Sequence, residues 1–81
     1  MAPIGDVIAA NVRAERARRR WTQAELGERV GWPRSSVSDV ESGRRKLTAD
    51  DLVALCAAFE VTLIKLADGA SQAELRVLGL V

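Results

Sequence analysis

The side chains able to do chemistry gather in the middle of the chain. Residues 33–42, PRSSVSDVES, read as one short helix. Val37 and Val40, three apart, face inward from it. Arg34, Ser35, Ser38 and Asp39 point the other way. A guanidinium, two hydroxyls and a carboxylate on one outer face supply donors and acceptors for holding a polar surface, not for breaking a bond. Arg44, Arg45 and Lys46 follow at once, three cations suited to phosphate; the plainer reading of that run is a solvated loop. Catalysis lacks its usual parts. The chain has no His, no Tyr and one Cys, so no base stands ready to activate a serine. No zinc spacing, phosphate-cradling glycine loop or dinucleotide fingerprint is present. The sequence therefore predicts no enzyme, no cofactor, no metal and no small-molecule ligand.

Eighty-one residues make one domain at most. The apolar fraction, 48%, is that of a globular protein. With two Trp and one Phe as the aromatic residues, the core must be aliphatic. Ala, Leu, Glu and Arg dominate and favour helix, and no stretch alternates with period two, so the expected fold class is all-α. Net charge is +1, but its distribution is uneven. Arg13 to Lys46 carries ten basic and five acidic residues, whereas Leu47 to Val81 carries two and five. The positive half coincides with the polar helix, as an electrostatic footprint for phosphate requires. Cys56 sits in an apolar helical run and reads as a small core residue. Neither a signal peptide nor a membrane span of ~20 apolar residues is visible, and a cytoplasmic location is expected.

The elements that hold the polar helix follow in order. Met1 to Pro3 reads as a loose start. A first helix is expected over Gly5–Arg19, with Ile8, Ala9 and Val12 inside and Asp6 and Arg18 to Arg20 suiting its dipole. Thr22 with Glu25 forms a capping box for a second helix, whose apolar side is Ala24, Leu26 and Val30. Trp21 precedes that cap and can pack near Leu26. Gly31 ends the helix in a left-handed turn, and Pro33 fits the first turn of the next. Trp32 is read as packing between helices. Thr48 caps a fourth helix with Leu52, Leu55, Cys56 and Phe59 inside. Glu60 turns the chain, and Thr62 caps a fifth helix ending at Asp68-Gly69. Ser71 with Glu74 predicts a short sixth. Residues 1–69 are expected to form the domain, and residues 70–81 an apolar extension.

Thr22-Gln23, Ala24, Leu26, Val30-Gly31, Arg34-Ser35-Ser36-Val37-Ser38 and Glu41-Ser42-Gly43-Arg44 together resemble the helix-turn-helix of the lambda-repressor/Cro (XRE-type) family, over residues 5–68. The resemblance implies a compact five-helix domain in which helices 2 and 3 form the motif and helix 3 enters the DNA major groove. It implies that Arg34, Ser35 and Asp39 stand at base-reading positions, with Ser38 on the same face and Ser36 near the backbone. Arg34 can grip guanine O6 and N7. Asp39 departs from the Gln or Arg usual there; it can accept from cytosine N4, or it can orient Arg34 or Arg44. Thr22 and Gln23 match a phosphate clamp, to which Arg44, Arg45 and Lys46 add flanking contacts, as would Arg18 to Arg20 if that end faces the duplex. An Arg16–Glu41 salt bridge is implied as well. Relatives place Gly where Arg20 stands; a positive φ would cost Arg about 1 kcal/mol, so a differently shaped connection is expected. The implied partner is double-stranded DNA, bound by a homodimer on a near-palindromic site, acting as a repressor. Leu75, Leu78, Leu80 and Val81 are assigned to the dimer contact, with folding back over the core as the alternative. The competing function is an antitoxin or other interaction module that uses this tail to bind a protein partner such as a toxin.

Overall fold

The structure, a computed structural model, describes residues 2–81, so the part of the loose N-terminal start that falls on Met1 lies outside the described residues. Six helices follow one another with short connections: α1 (Ile4–Arg18), α2 (Gln23–Val30), α3 (Arg34–Glu41), α4 (Ala49–Phe59), α5 (Leu63–Leu66) and α6 (Gln72–Val77). Among the described residues there is no strand. The all-α expectation holds, and the sixth helix forms.

Threonine and serine caps set most of the starts. Thr22 Oγ1 accepts from the Glu25 amide at 3.0 Å while Glu25 accepts from the Thr22 amide at 2.9 Å. Thr48 and Asp51 repeat the reciprocal arrangement at 3.1 and 3.0 Å. Thr62 and Ser71 cap α5 and α6. Such caps are worth about 1 kcal/mol each. Pro33 stands just outside α3, not in its first turn, with extended backbone (φ −61°, ψ 153°). Its carbonyl already accepts from the amides of Ser36 and Val37.

The ends follow a second rule. α1 closes with the Arg20 amide donating to Ala17 and the Trp21 amide to Arg16. This is a Schellman closure, and it needs a left-handed residue between helix and apolar neighbour. Arg20 supplies that conformation itself, at φ 59°. The expectation of a differently shaped connection is therefore wrong: the closure that turns Trp21 inward outweighs a strain of about 1 kcal/mol. Glu60 does the same after α4 at φ 55°, followed by Val61. Gly79 ends α6 and turns Leu80 back against the core.

Ile8, Val12, Leu26, Val37, Val40, Leu55, Phe59, Leu66, Ala67 and Leu75 form one buried cluster. Ala24 is exposed, not part of the apolar side of α2, and Leu52 and Cys56 are only partly buried. Burial pushes the Cys56 thiol up, which favours its protonated form. Trp21 stacks on Phe59 at 5.8 Å between centroids, and the guanidinium of Arg29 lies 4.0 Å from its ring centre.

Three long-range bonds join α1 to the C-terminal part of the chain. α1 has no side-chain cap of its own; the Ile4 amide donates instead to Glu74 of α6 at 2.9 Å. In return Asn11 of α1 donates to the carbonyls of Leu66 and Asp68 at the end of α5, at 2.7 and 2.8 Å. The N-terminal helix and the C-terminal segment cap one another. No helix among the described residues is long and apolar enough to cross a membrane.

Candidate nucleic-acid interface

The turn between α2 and α3 depends on two glycines. Gly31 takes φ 77°, a conformation that costs Gly little. The Trp32 amide then donates to the Gly27 carbonyl at 2.8 Å. This brings the Trp32 carbonyl oxygen within 2.5 Å of where a Cβ on Gly27 would stand. Only a residue without a Cβ lets the turn cross α2 so closely. Gly27 has no signature in local sequence, and the sequence reading missed it.

Val37 and Val40, with relative exposures of 0% and 1%, pin α3 to the body. Arg34 and Ser35 stand exposed at its N-terminal end; Ser36, Ser38 and Asp39 are half-buried. Arg34 has no hydrogen-bond or ion-pair partner among the described residues. Its guanidinium keeps all five donors for a ligand.

Behind this face, Arg16 grips Glu41 through two parallel bonds, Nε to Oε2 at 2.6 Å and Nη2 to Oε1 at 3.0 Å. The Glu41 side chain is 4% exposed and that of Arg16 17%. Pairing with Glu41 raises the Arg16 pKa above its ordinary value. Arg16 also donates to the Trp21 carbonyl at 2.8 Å, and Gln23 Nε2 donates to Glu41 Oε1 at 3.2 Å. One carboxylate thus gathers α1, the start of α2 and the end of α3. One N–H of the Gln23 side-chain amide is spent on this network, which leaves the second for a phosphate oxygen. Beside it α2 can offer an anion its N-terminal backbone amides, with Thr22 fixing their geometry.

The basic loop divides into two kinds of residue. Arg44 and Lys46 are exposed. Arg45 is not a free cation: it donates to Asp51 at 2.9 Å and lies 4.7 Å from the centre of the Trp32 ring. Asp51 is itself buried and closes the α4 capping box. Arg45 braces the α2–α3 turn against α4, a structural role added to the phosphate contact expected of it. The end of α1 is tied down in the same way. Glu15, 5% exposed, accepts from Arg18 at 3.0 Å and Arg19 at 2.7 Å. Arg19 reaches on to the Phe59 carbonyl at 2.7 Å. The hydrogen bond from Arg19 holds the Glu15 carboxyl below its usual range. Arg19 therefore joins α1 to the end of α4.

In the tail, Leu75 is 8% exposed and belongs to the core, so its assignment to a dimer contact does not stand. Leu80 packs against the same core. Val77, Leu78 and Val81 are exposed. Leu78 and Leu80 line a cleft of about 270 Å³ with Ile4, Ile8, Leu52 and Leu63. Among the described residues no group of His, Cys, Asp or Glu is arranged to hold a metal ion.

The Helix-turn-helix family model matches residues 12–66, from the middle of α1 to the end of α5. None of the curated proteins matches the chain. Among solved structures, a hypothetical transcription factor, NHTF, from Neisseria superposes with a TM-score of 0.75 at 29% identity, over 93% of this chain and 83% of the other. A structure of the clp gene regulator ClgR from Corynebacterium glutamicum gives 0.74 at 25% identity, over 96% of this chain and 88% of the other. A second ClgR structure gives 0.74 at 24% identity, with coverage of 89% and 99%. Capped α2, glycine turn, valine-anchored α3 and the family match agree: the chain belongs to the helix-turn-helix family of the XRE, lambda-repressor-like type.

Proposed function

We propose that this chain is a sequence-specific regulator of transcription that binds double-stranded DNA, most simply as a repressor. The observation that carries this reading is the outer face of α3: an unpaired arginine and hydroxyls on a helix fixed from behind by two buried valines. The N-terminal half of such a helix enters the major groove, so Arg34 reads guanine and Ser35 adds a weaker preference, with Ser38 next along the same face. The amides at the start of α2, Ser36, Arg44 and Lys46 hold phosphates, fixing register without specifying sequence. The names of the structural relatives, a transcription factor and a gene regulator, support the same reading.

One helix reads only a few base pairs. A homodimer would place two of them in successive major grooves, about 34 Å apart, on a near-palindromic site. Exposed Val77, Leu78 and Val81 beside an apolar cleft favour a contact between copies through this end of the molecule. The same patch favours the second reading, an antitoxin whose tail meets a toxin, and a protein of this kind can also bind its own operator. Its place of work would be the cytoplasm.

The test is selection from a pool of randomised duplexes, followed by binding measured on the selected sequence and on an unrelated one. Arg34→Ala should weaken binding to the selected duplex by roughly 1–3 kcal/mol and to the unrelated duplex far less. Equal losses on both would reject base reading by Arg34, and no selected sequence at all would reject the function.

A further inference from the structure

We propose that Asp39 is a positioning residue that acts on DNA through Arg44 and touches no base; the assignment rests on the DNA-binding reading above. Asp39 meets Arg44 through both backbone and side chain. Its carbonyl accepts from the amides of Arg44 at 2.9 Å and Arg45 at 3.1 Å, and from Ser42 Oγ at 3.2 Å. The Arg44 Nε donates to that same Ser42 Oγ at 3.1 Å and stands 3.9 Å from Asp39 Oδ1. With Nε turned toward the protein, the two Nη groups have no partner among the described residues. They form the fork that meets two oxygens of a phosphate at once.

Position along α3 argues the same way. Bases are read from the N-terminal residues of such a helix. Asp39 lies five residues beyond Arg34, about 7.5 Å further along the axis. It sits in the last turn, where the helix dipole disfavours a negative charge, and α3 has no basic residue there. Arg44 supplies the missing positive charge from the loop. Asp39 is half exposed and Arg44 more so, with side-chain exposures of 49% and 74%. An ion pair that open contributes little to stability. Its effect is on where the guanidinium points.

The experiment uses wild type, Asp39→Ala, Ser42→Ala, Arg44→Gln and the Asp39→Ala/Arg44→Gln and Ser42→Ala/Arg44→Gln double variants, with the duplex that wild type selects as the probe. All three substitutions are at exposed or half-exposed sites, and matching thermal melts check that the variants fold. Removing the carboxylate also relieves repulsion from phosphate, but that effect is common to both backgrounds and cancels in the cycle. The expected results are an unchanged selected sequence for Asp39→Ala and a departure from additivity of about five-fold between Asp39→Ala and Arg44→Gln. Ser42→Ala should also fail to add to Arg44→Gln. Arg44→Gln should lower the slope of log affinity against log salt by about one, and Asp39→Ala by part of that. Loss of one preferred base pair in Asp39→Ala, or strict additivity, overturns the assignment while the DNA reading stands. A wild type that selects no duplex overturns both.

Discussion

A cation on a surface of this kind is either spent inside the protein or available to a ligand, and the difference decides what its loss does. Arg45 is spent on Asp51 and Trp32; Lys46 is exposed and has no ion-pair partner among the described residues. Arg45→Gln should therefore lower the melting temperature while leaving the salt dependence of DNA binding nearly unchanged. Lys46→Gln should do the reverse, leaving the melt alone and reducing the log–log salt slope by about one. Anisotropy titrations between 50 and about 200 mM salt separate the two. The Arg16–Glu41 pair is the extreme case of a spent charge. Glu41→Gln leaves Arg16 nearly buried opposite a neutral group and also disturbs Gln23. Breaking such a pair from one side costs about 3–5 kcal/mol, so urea denaturation should show a large loss of stability. An unaltered midpoint would mean that the pair does not hold the helices together.

Between elements, close approach and shared charge matter more than propensity. Alanine in a helix interior is normally favoured over glycine by about 1 kcal/mol. At Gly27 the sign should invert, because the added methyl meets a backbone oxygen and not a yielding side chain. Gly27→Ala should destabilise by roughly 1–3 kcal/mol, as overpacking does, measured by thermal melting; a stabilised variant would show that the turn moves freely. Glu15 gives a pH signature. Its carboxyl titrates below its unfolded value because Arg19 donates to it. In the acid range the unfolded chain therefore binds the proton first, and the stability Glu15 contributes is complete above the unfolded carboxylate pKa and is lost as pH falls through the folded one. Urea midpoints should drop between about pH 5 and pH 3, and Glu15→Gln should flatten that drop. The same elements mark the limit of what the sequence carries. Helix starts were legible because Thr22-x-x-Glu25, Thr48-x-x-Asp51 and Ser71-x-x-Glu74 are local patterns with local causes. Arg34 and Ser35 were legible as outward residues because Val37 and Val40 fix the phase of α3. What was hidden is the choice of distant partners. Nothing near Arg45 announces Asp51 together with Trp32, nothing near Glu74 announces the Ile4 amide, and the Arg20 turn is decided by the inward pull of Trp21.

At the scale of the whole molecule, the basic loop and the apolar tail meet at one cleft. Lys46 lines one side of the cleft that Leu78 and Leu80 line with Ile4 and Ile8, and exposed Val77, Leu78 and Val81 end the chain beside it. The surface joining two copies of a half-palindrome reader must not be the surface that meets DNA, so a contact between copies through this end would have to leave Lys46 open to phosphate. Cutting the chain after Gly69 would be a poor test. It removes Leu75 from the core and Glu74 from the start of α1, so a change in mass could reflect unfolding. Leu78→Glu with Val81→Glu leaves both of those anchors in place. If copies meet through this end, the double variant should sediment as a monomer, keep a melting temperature close to that of wild-type monomer at low concentration, and lose affinity for a full palindrome. It should bind a half-site as wild type does, because each α3 is untouched. A dimer that persists in the double variant would move the contact elsewhere. A wild type that is already monomeric, yet binds an unrelated protein through Val77, Leu78 and Val81, would favour the antitoxin reading over a self-paired repressor.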